Sequence, residues 1–181
     1  MQLQATLHNM KSGIVTPAII DTDGNQQGMM WYQRHFGLIT RHPLPFSFPY
    51  LSGCCMLFQR ELLKSNKLFD EDFFMYGEDT MLGWQLTRSR IGMTQDNLAK
   101  VRHENRGSSQ EYKVFYEYHM ARAHVLLAYK TCRTPLEIPI LVLTKSIGLA
   151  FRALLRSVRA RSMLPLIAFL LAWFPLKIRV P

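Results

Sequence analysis

The sequence predicts an α/β domain followed by a helical amphipathic tail, on three observations. Gly13–Ile20 is a short apolar run rich in β-branched residues and closed by a turn signal, which marks a buried strand. Tyr112, Phe115, Tyr116, His119, Ala123, Leu126 and Leu127 recur at a spacing of about 3.6, which marks a long helix over Gln110–Lys130. Past residue 133 the chain changes in kind, with large apolar residues and arginines at helical spacing.

The chain has 181 residues, enough for one domain with an appendage, and 48% of them are apolar, enough for a core. Its formal charge of +9 is uneven. Lys145, Arg152, Arg156, Arg159, Arg161, Lys177 and Arg179 fall after residue 144 with no acid among them, leaving the first 144 residues at +2. A basic segment that is also greasy points to an anionic membrane surface rather than to nucleic acid. No zinc-finger spacing and no RNA-binding aromatic signature stands against that reading. Cys54, Cys55 and Cys132 make an odd count with an adjacent pair, which suits a reducing compartment without a disulfide framework. Met1–Met10 lacks the charged-then-apolar layout of a secretion signal.

The elements follow in order. Pro17 places the first strand near an edge or a bulge. Asp21-Thr22-Asp23-Gly24-Asn25 is a turn. Met29–Phe36 reads as strand or loop. His42–Pro49, with Pro43, Pro45 and Pro49, reads as an extended surface loop. Leu51–Gln59 is a second strand-like run, Arg60–Ser65 a short helix and Phe69–Tyr76 a loop. Thr80–Arg88 is a helix whose first turn lies beside Glu78 and Asp79, where the helix dipole favours negative charge. Gln95–Arg102 is another strand.

In the tail, Ile147, Phe151, Leu154, Leu155 and Val158 share one helical face, with Arg152, Arg156 and Arg159 on another. Met163–Leu176 is an uncharged run of 14 residues, short of the roughly 18 to 20 that a spanning helix needs. A helix lying in the lipid interface fits better than a crossing. The domain boundary is accordingly expected between residues 133 and 134, with 1–133 the α/β domain and 134–181 the tail.

The most informative segment is Phe73-Phe74-Met75-Tyr76-Gly77-Glu78-Asp79. Two adjacent carboxylates close an aromatic segment and open an apolar helix. Ser52-Gly53-Cys54 precedes them, and His103 and Ser108-Ser109 follow. Carboxylates, an imidazole and hydroxyls in that order suit metal-assisted group transfer. The plainer alternative is that Glu78 and Asp79 merely complement the helix start. Asp70, Glu71 and Asp72 read as a solvated turn, and Phe73, Phe74, Tyr76 and Trp84 as packing residues.

The order of Tyr50–Leu63 (YLSGCCMLFQRELL), Leu68–Leu86 (LFDEDFFMYGEDTMLGWQL) and Val101–Ser109 (VRHENRGSS) resembles the C-terminal half of family 2 glycosyltransferases, above all the rhamnosyltransferase-like members. These typically carry G-G-F-D-E-x-F-F-M-Y-x-E-D-x-D-L followed by H-x(4)-S. The likeness covers about Gly13–Ser109, and its central motif is the specific part. It implies a GT-A-like mixed sheet with flanking helices. It also implies inverting transfer of a sugar from a nucleotide diphosphate donor to a glycan or lipid-linked acceptor. By that resemblance Asp79 is the base, Glu78 its neighbour, and His103 a ligand of a Mn or Mg ion. Ser52, Gly53, Cys54 and Tyr76 then border the acceptor, and Ser108 and Ser109 donate to phosphate. The implied setting is the inner face of the plasma membrane. Thr80-Met81 and Gln85 depart from the family pattern. The Asp-x-Asp motif of the donor-binding half is not matched, since Asp21-Thr22-Asp23 reads as a turn, so that half is expected to be missing.

Overall fold

A computed structural model describes residues 2–9, 13–62, 67–103 and 113–174. They form α1 (Gln2–Asn9), β1 (Gly13–Ile20), β2 (Gln26–Gln27), β3 (Met29–Gln33), β4 (Ile39–Thr40), β5 (Ser47–Leu51) and β6 (Leu57–Phe58). A 3-10 turn at Arg60–Leu62 leads to α2 (Glu78–Arg88), β7 (Gly92–Arg102), α3 (Lys113–Lys130), α4 (Glu137–Ala160) and α5 (Leu164–Leu171). By contacts the chain divides into two compact units: Met1–Gln33 with Ile39–Glu71 and Glu78–Asn105, and Arg34–Leu38 with Asp72–Gly77 and Arg106–Pro181. The helix α3, expected within the 1–133 segment, therefore groups with the tail helices.

The first unit is α/β with a mixed sheet. Its centre is β1, buried along almost its whole length. One edge of β1 pairs in parallel with β7; the other pairs antiparallel with β2 and β6. Pro17 donates no amide, and the β1–β7 register shifts between Pro17 and Ala18, so the bulge expected from sequence is where the ladder breaks. The turn at Asp21–Asn25 is closed by the Asp21 carboxylate, whose Oδ1 accepts from the amides of Asp23 (3.0 Å) and Asn25 (2.7 Å).

A second, antiparallel sheet has the order β4-β3-β5. Here the structure departs from expectation. Pro49 lies inside β5 opposite Trp31, and of the strand-like run over Leu51–Gln59 only Leu51, the end of β5, and the two residues of β6 are in strands. The sheet packs on α2. The rings of Tyr32 and Phe48 lie 5.5 Å apart and those of Phe48 and Trp84 5.2 Å, so Trp84 is a core residue, as read from sequence. Ile14, Leu51, Leu82 and Leu86 form the adjoining apolar cluster.

In the second unit α3, α4 and α5 pack on one another. Leu141, Lys145, Leu149, Ala153 and Ser157, one every fourth residue of α4, are its buried row. Lys145 has no exposed surface at all, and burial, with the Arg34 charge beside it, lowers its pKa to about 7. Arg34 donates to the Thr131 carbonyl (2.6 Å) and pairs with Glu137 (2.5 Å).

The approach of α2 to β5 depends on Gly83. A Cβ there would lie 2.6 Å from the Pro49 carbonyl oxygen and 2.8 Å from the Tyr50 Cα, neither of which yields. Gly83→Ala is expected to lower stability by about 1–3 kcal/mol through overpacking, although alanine gains about 1 kcal/mol of helix propensity. A urea midpoint equal to or above that of the parent would show that the two elements separate without cost.

Candidate functional site

The site is built at the start of α2. This helix begins at Glu78 rather than Thr80, so both carboxylates lie in its first turn. Asp79 Oδ2 accepts from the Gly53 amide (3.3 Å), and Oδ1 from the Thr80 amide (2.6 Å) and hydroxyl (3.3 Å). Gly53 lies in the exposed turn after β5, shaped by Ser52, whose Oγ accepts from the Cys54 amide (3.4 Å). A side chain on Gly53 would meet Asp79 Cβ at 3.6 Å and Glu78 Oε1 at 4.0 Å. The structure thus brings together Gly53, Glu78 and Asp79, with Ser52 and Cys54 flanking. Asp79 itself is half-buried and edges onto an exposed turn.

The electrostatics of Asp79 differ from those usual for an acid at a helix start. An acid recruited to a helix start is stabilised in its charged form and its pKa falls. Asp79 goes the other way: its pKa is raised to about 6, chiefly by burial and then by the Glu78 charge, against the pull of three hydrogen bonds. Glu78 adds a second anomaly. Its Oε2 is buried and has no hydrogen-bond partner among the described residues. Such a group costs free energy that ordinary folding would avoid. Tyr50 was not singled out by sequence. It is buried on β5, and burial together with the Asp79 charge pushes its phenol pKa well up. Its signal was only the alternation along Phe48, Tyr50.

Other expected members fall elsewhere. His103 follows β7, its amide donating to the Ile20 carbonyl (2.9 Å) and extending the β1–β7 ladder. Tyr76 belongs to the second unit, where its ring meets Tyr116 edge-on at 5.4 Å. It has φ 64° and Gly77 has φ 85°, a left-handed pair that a non-glycine residue adopts only at a cost. Ser108 and Ser109 lie outside the described residues. Among the described residues no group of three His, Cys, Asp or Glu side chains converges as a metal site.

Two concavities were not anticipated. One in the first unit, of about 450 Å³, is lined by Ile14, Leu82, Leu86, Ile91 and others but by neither Asp79 nor Glu78. Another, in the second unit, of about 230 Å³, is bordered by Phe73, Phe74, Tyr76, Tyr118, His119 and Arg122. Of the aromatic residues read as packing, Phe73 is buried, whereas Phe74 is 73% exposed at this rim.

A raised folded-state pKa means that Asp79 favours folding fully below its unfolded value of 3.8 and that this contribution is lost as pH rises through about 6. Asp79→Asn is therefore expected to raise stability at pH 7 by about 1–2 kcal/mol, discounted for partial exposure, and to flatten the pH dependence between 4 and 6. Thermal melts across that range decide it; a lower midpoint in the variant at pH 7 would mean a structural cap.

Comparison of the chain with protein-family models, with curated proteins and with solved structures finds no match.

Proposed function

We propose that this chain carries the acceptor side and the catalytic base of an inverting glycosyltransferase with a GT-A-like fold. Together with a donor-binding half it serves to move a sugar such as rhamnose from a nucleotide diphosphate donor to a lipid-linked or polysaccharide acceptor. One observation supports this above the rest: within the Gly77-Glu78-Asp79 motif, Asp79 is half-buried against the exposed Gly53 turn with its pKa raised to about 6.

The reaction explains why such an acid is useful. The acceptor oxygen attacks the anomeric carbon, the bond to the diphosphate oxygen breaks, and the configuration inverts in a single displacement. The acceptor proton must leave as the new bond forms, and Asp79 takes it. A carboxylate titrating at about 6 is mostly ionised at neutral pH yet more basic than an ordinary aspartate. Glu78 raises that basicity by its charge. The Gly53 amide holds Oδ2. Ser52, Gly53 and Cys54 are the proposed acceptor contacts.

A divalent cation, Mn or Mg, would neutralise charge on the departing diphosphate. His103 is its proposed protein ligand. The described residues assemble no donor set for it, so no step is routed through the ion. The setting is the cytoplasmic face of the plasma membrane.

A second reading is a non-catalytic membrane-associated protein. The exposed apolar side of α4 favours it and is indifferent to Asp79.

Transfer from a panel of nucleotide sugars, assayed in a protein that joins this chain to a donor-binding half, separates the two. Asp79→Asn is expected to cut kcat by about 10²–10⁴-fold while donor affinity changes little, and the parent's acid limb in kcat/KM should fall near pH 6. Equal loss of donor binding and turnover would assign Asp79 a structural role. No transfer with any donor would favour the second reading.

A further inference from the structure

The buried row of α4 leaves the opposite side of the helix facing outward. Leu136, Ile140, Leu143, Ile147, Phe151, Leu154 and Val158 are all exposed, Val158 at 68%. From Leu136 to Val158 the stripe runs about 33 Å at 1.5 Å per residue. Met163, Ile167, Leu170 and Phe174 add further exposed apolar surface on and around α5. A soluble monomer rarely leaves so long an apolar strip in water.

From Lys145 to Arg156 the polar groups of α4 are withdrawn from that stripe, and Arg159 in the last turn is exposed. Lys145, its only charged residue between Ile138 and Phe151, is fully buried. Arg156 donates through Nε to both carboxylate oxygens of Glu117 on α3 (3.0 and 3.1 Å). Arg152 Nη1 lies 3.2 Å from His124 Nε2, and burial holds His124 well below its ordinary pKa, so the ring nitrogen accepts. Thr144 and Ser146 turn their hydroxyls back onto the Ile140 (2.8 Å) and Val142 (2.6 Å) carbonyls. Hydroxyls satisfied within their own helix suit a medium without water. A protein partner's face would ordinarily present hydrogen-bonding groups at its rim.

We propose that the second unit is seated in a lipid bilayer interface by the apolar side of α4, which lies in the membrane plane, so that insertion into hydrocarbon rather than attraction to anionic headgroups holds it there. This rests on the membrane setting proposed above and not on sugar transfer. Glu137–Ala160 is also long and apolar enough to cross a bilayer. A crossing α4 would carry the Arg156–Glu117 pair and buried Lys145 into the hydrocarbon, at a cost that the in-plane orientation avoids.

Sedimentation with vesicles tests it. The protein is expected to bind vesicles of phosphatidylcholine alone, with less than about threefold change when phosphatidylglycerol is added or salt is raised to about 0.5 M. Ile147→Asp with Phe151→Asp should lower binding by about tenfold or more with an unchanged circular dichroism spectrum, whereas Arg159→Gln with Arg161→Gln should change it little. Binding confined to anionic vesicles and lost in salt would overturn insertion while keeping the membrane setting. No binding to either vesicle, with concentration-dependent dimers in sedimentation equilibrium, would overturn both and assign the face to a second copy of the chain. The parent protein's lipid and salt response decides the matter even if the double aspartate variant misfolds.

Discussion

The contact of α2 with β5 at Gly83 is the constraint on which the candidate site depends. With only a hydrogen at that position, the helix backbone settles onto the Pro49 carbonyl and the Tyr50 Cα. The start of the same helix then falls beside the turn that leaves β5, and the Gly53 amide meets the Asp79 carboxylate. Leu82 and Leu86 enter the apolar cluster with Ile14 and Leu51, which ties the helix to the strand at the centre of the first sheet. Packing thus fixes the position of the acid pair.

The acid pair pays for that placement. A helix start offers about 0.3–1 kcal/mol to a negative charge at the surface, and three hydrogen bonds to one carboxylate add to it. Asp79 still holds its proton more tightly than a free aspartate. Loss of water and the adjacent Glu78 charge outweigh all the favourable partners. Nothing in the packing of α2 requires two acids here. The arrangement is locally unfavourable, and beside it the Glu78 Oε2 has no hydrogen-bond partner among the described residues.

Much of this was legible in the sequence where a residue has one physical option. Pro17 cannot donate, so β1 had to break its ladder nearby. Asp21 followed by Gly24 could hardly be other than a turn, and Trp84 at helical spacing from Met81 had to be core. The errors came where tertiary pairing overrides local preference. Pro49 reads as loop, yet β5 pairs through it, as its position opposite Trp31 shows. Leu51–Gln59 has strand composition, but beyond Leu51, which ends β5 opposite Met29, only Leu57 and Phe58 find a strand partner, on β1. For the site, the motif supplied Glu78 and Asp79, while Tyr50 and the role of the Gly53 backbone amide were invisible. An amide donor carries no side-chain signature, and a buried tyrosine in an apolar strand resembles any other. The motif itself also crosses the division between units, which falls between Gly77 and Glu78.

Composition and placement are separate matters at the tail. An excess of arginine suggests attraction to anionic surfaces, but a net charge says nothing of where each charge is directed. On α4 the partners lie on α3, where Glu117 takes Arg156 and His124 receives Arg152. The apolar residues between them have no such partners and are left facing outward. Lys145 shows how strongly the fold enforces this sorting, since an exposed lysine would cost almost nothing and its burial lowers its pKa to about 7. From Lys145 to Arg156 the helix keeps its charges on the side that packs against protein, an order opposite to that of a helix dissolved in water, and only in the last turn does a charge, Arg159, stand exposed.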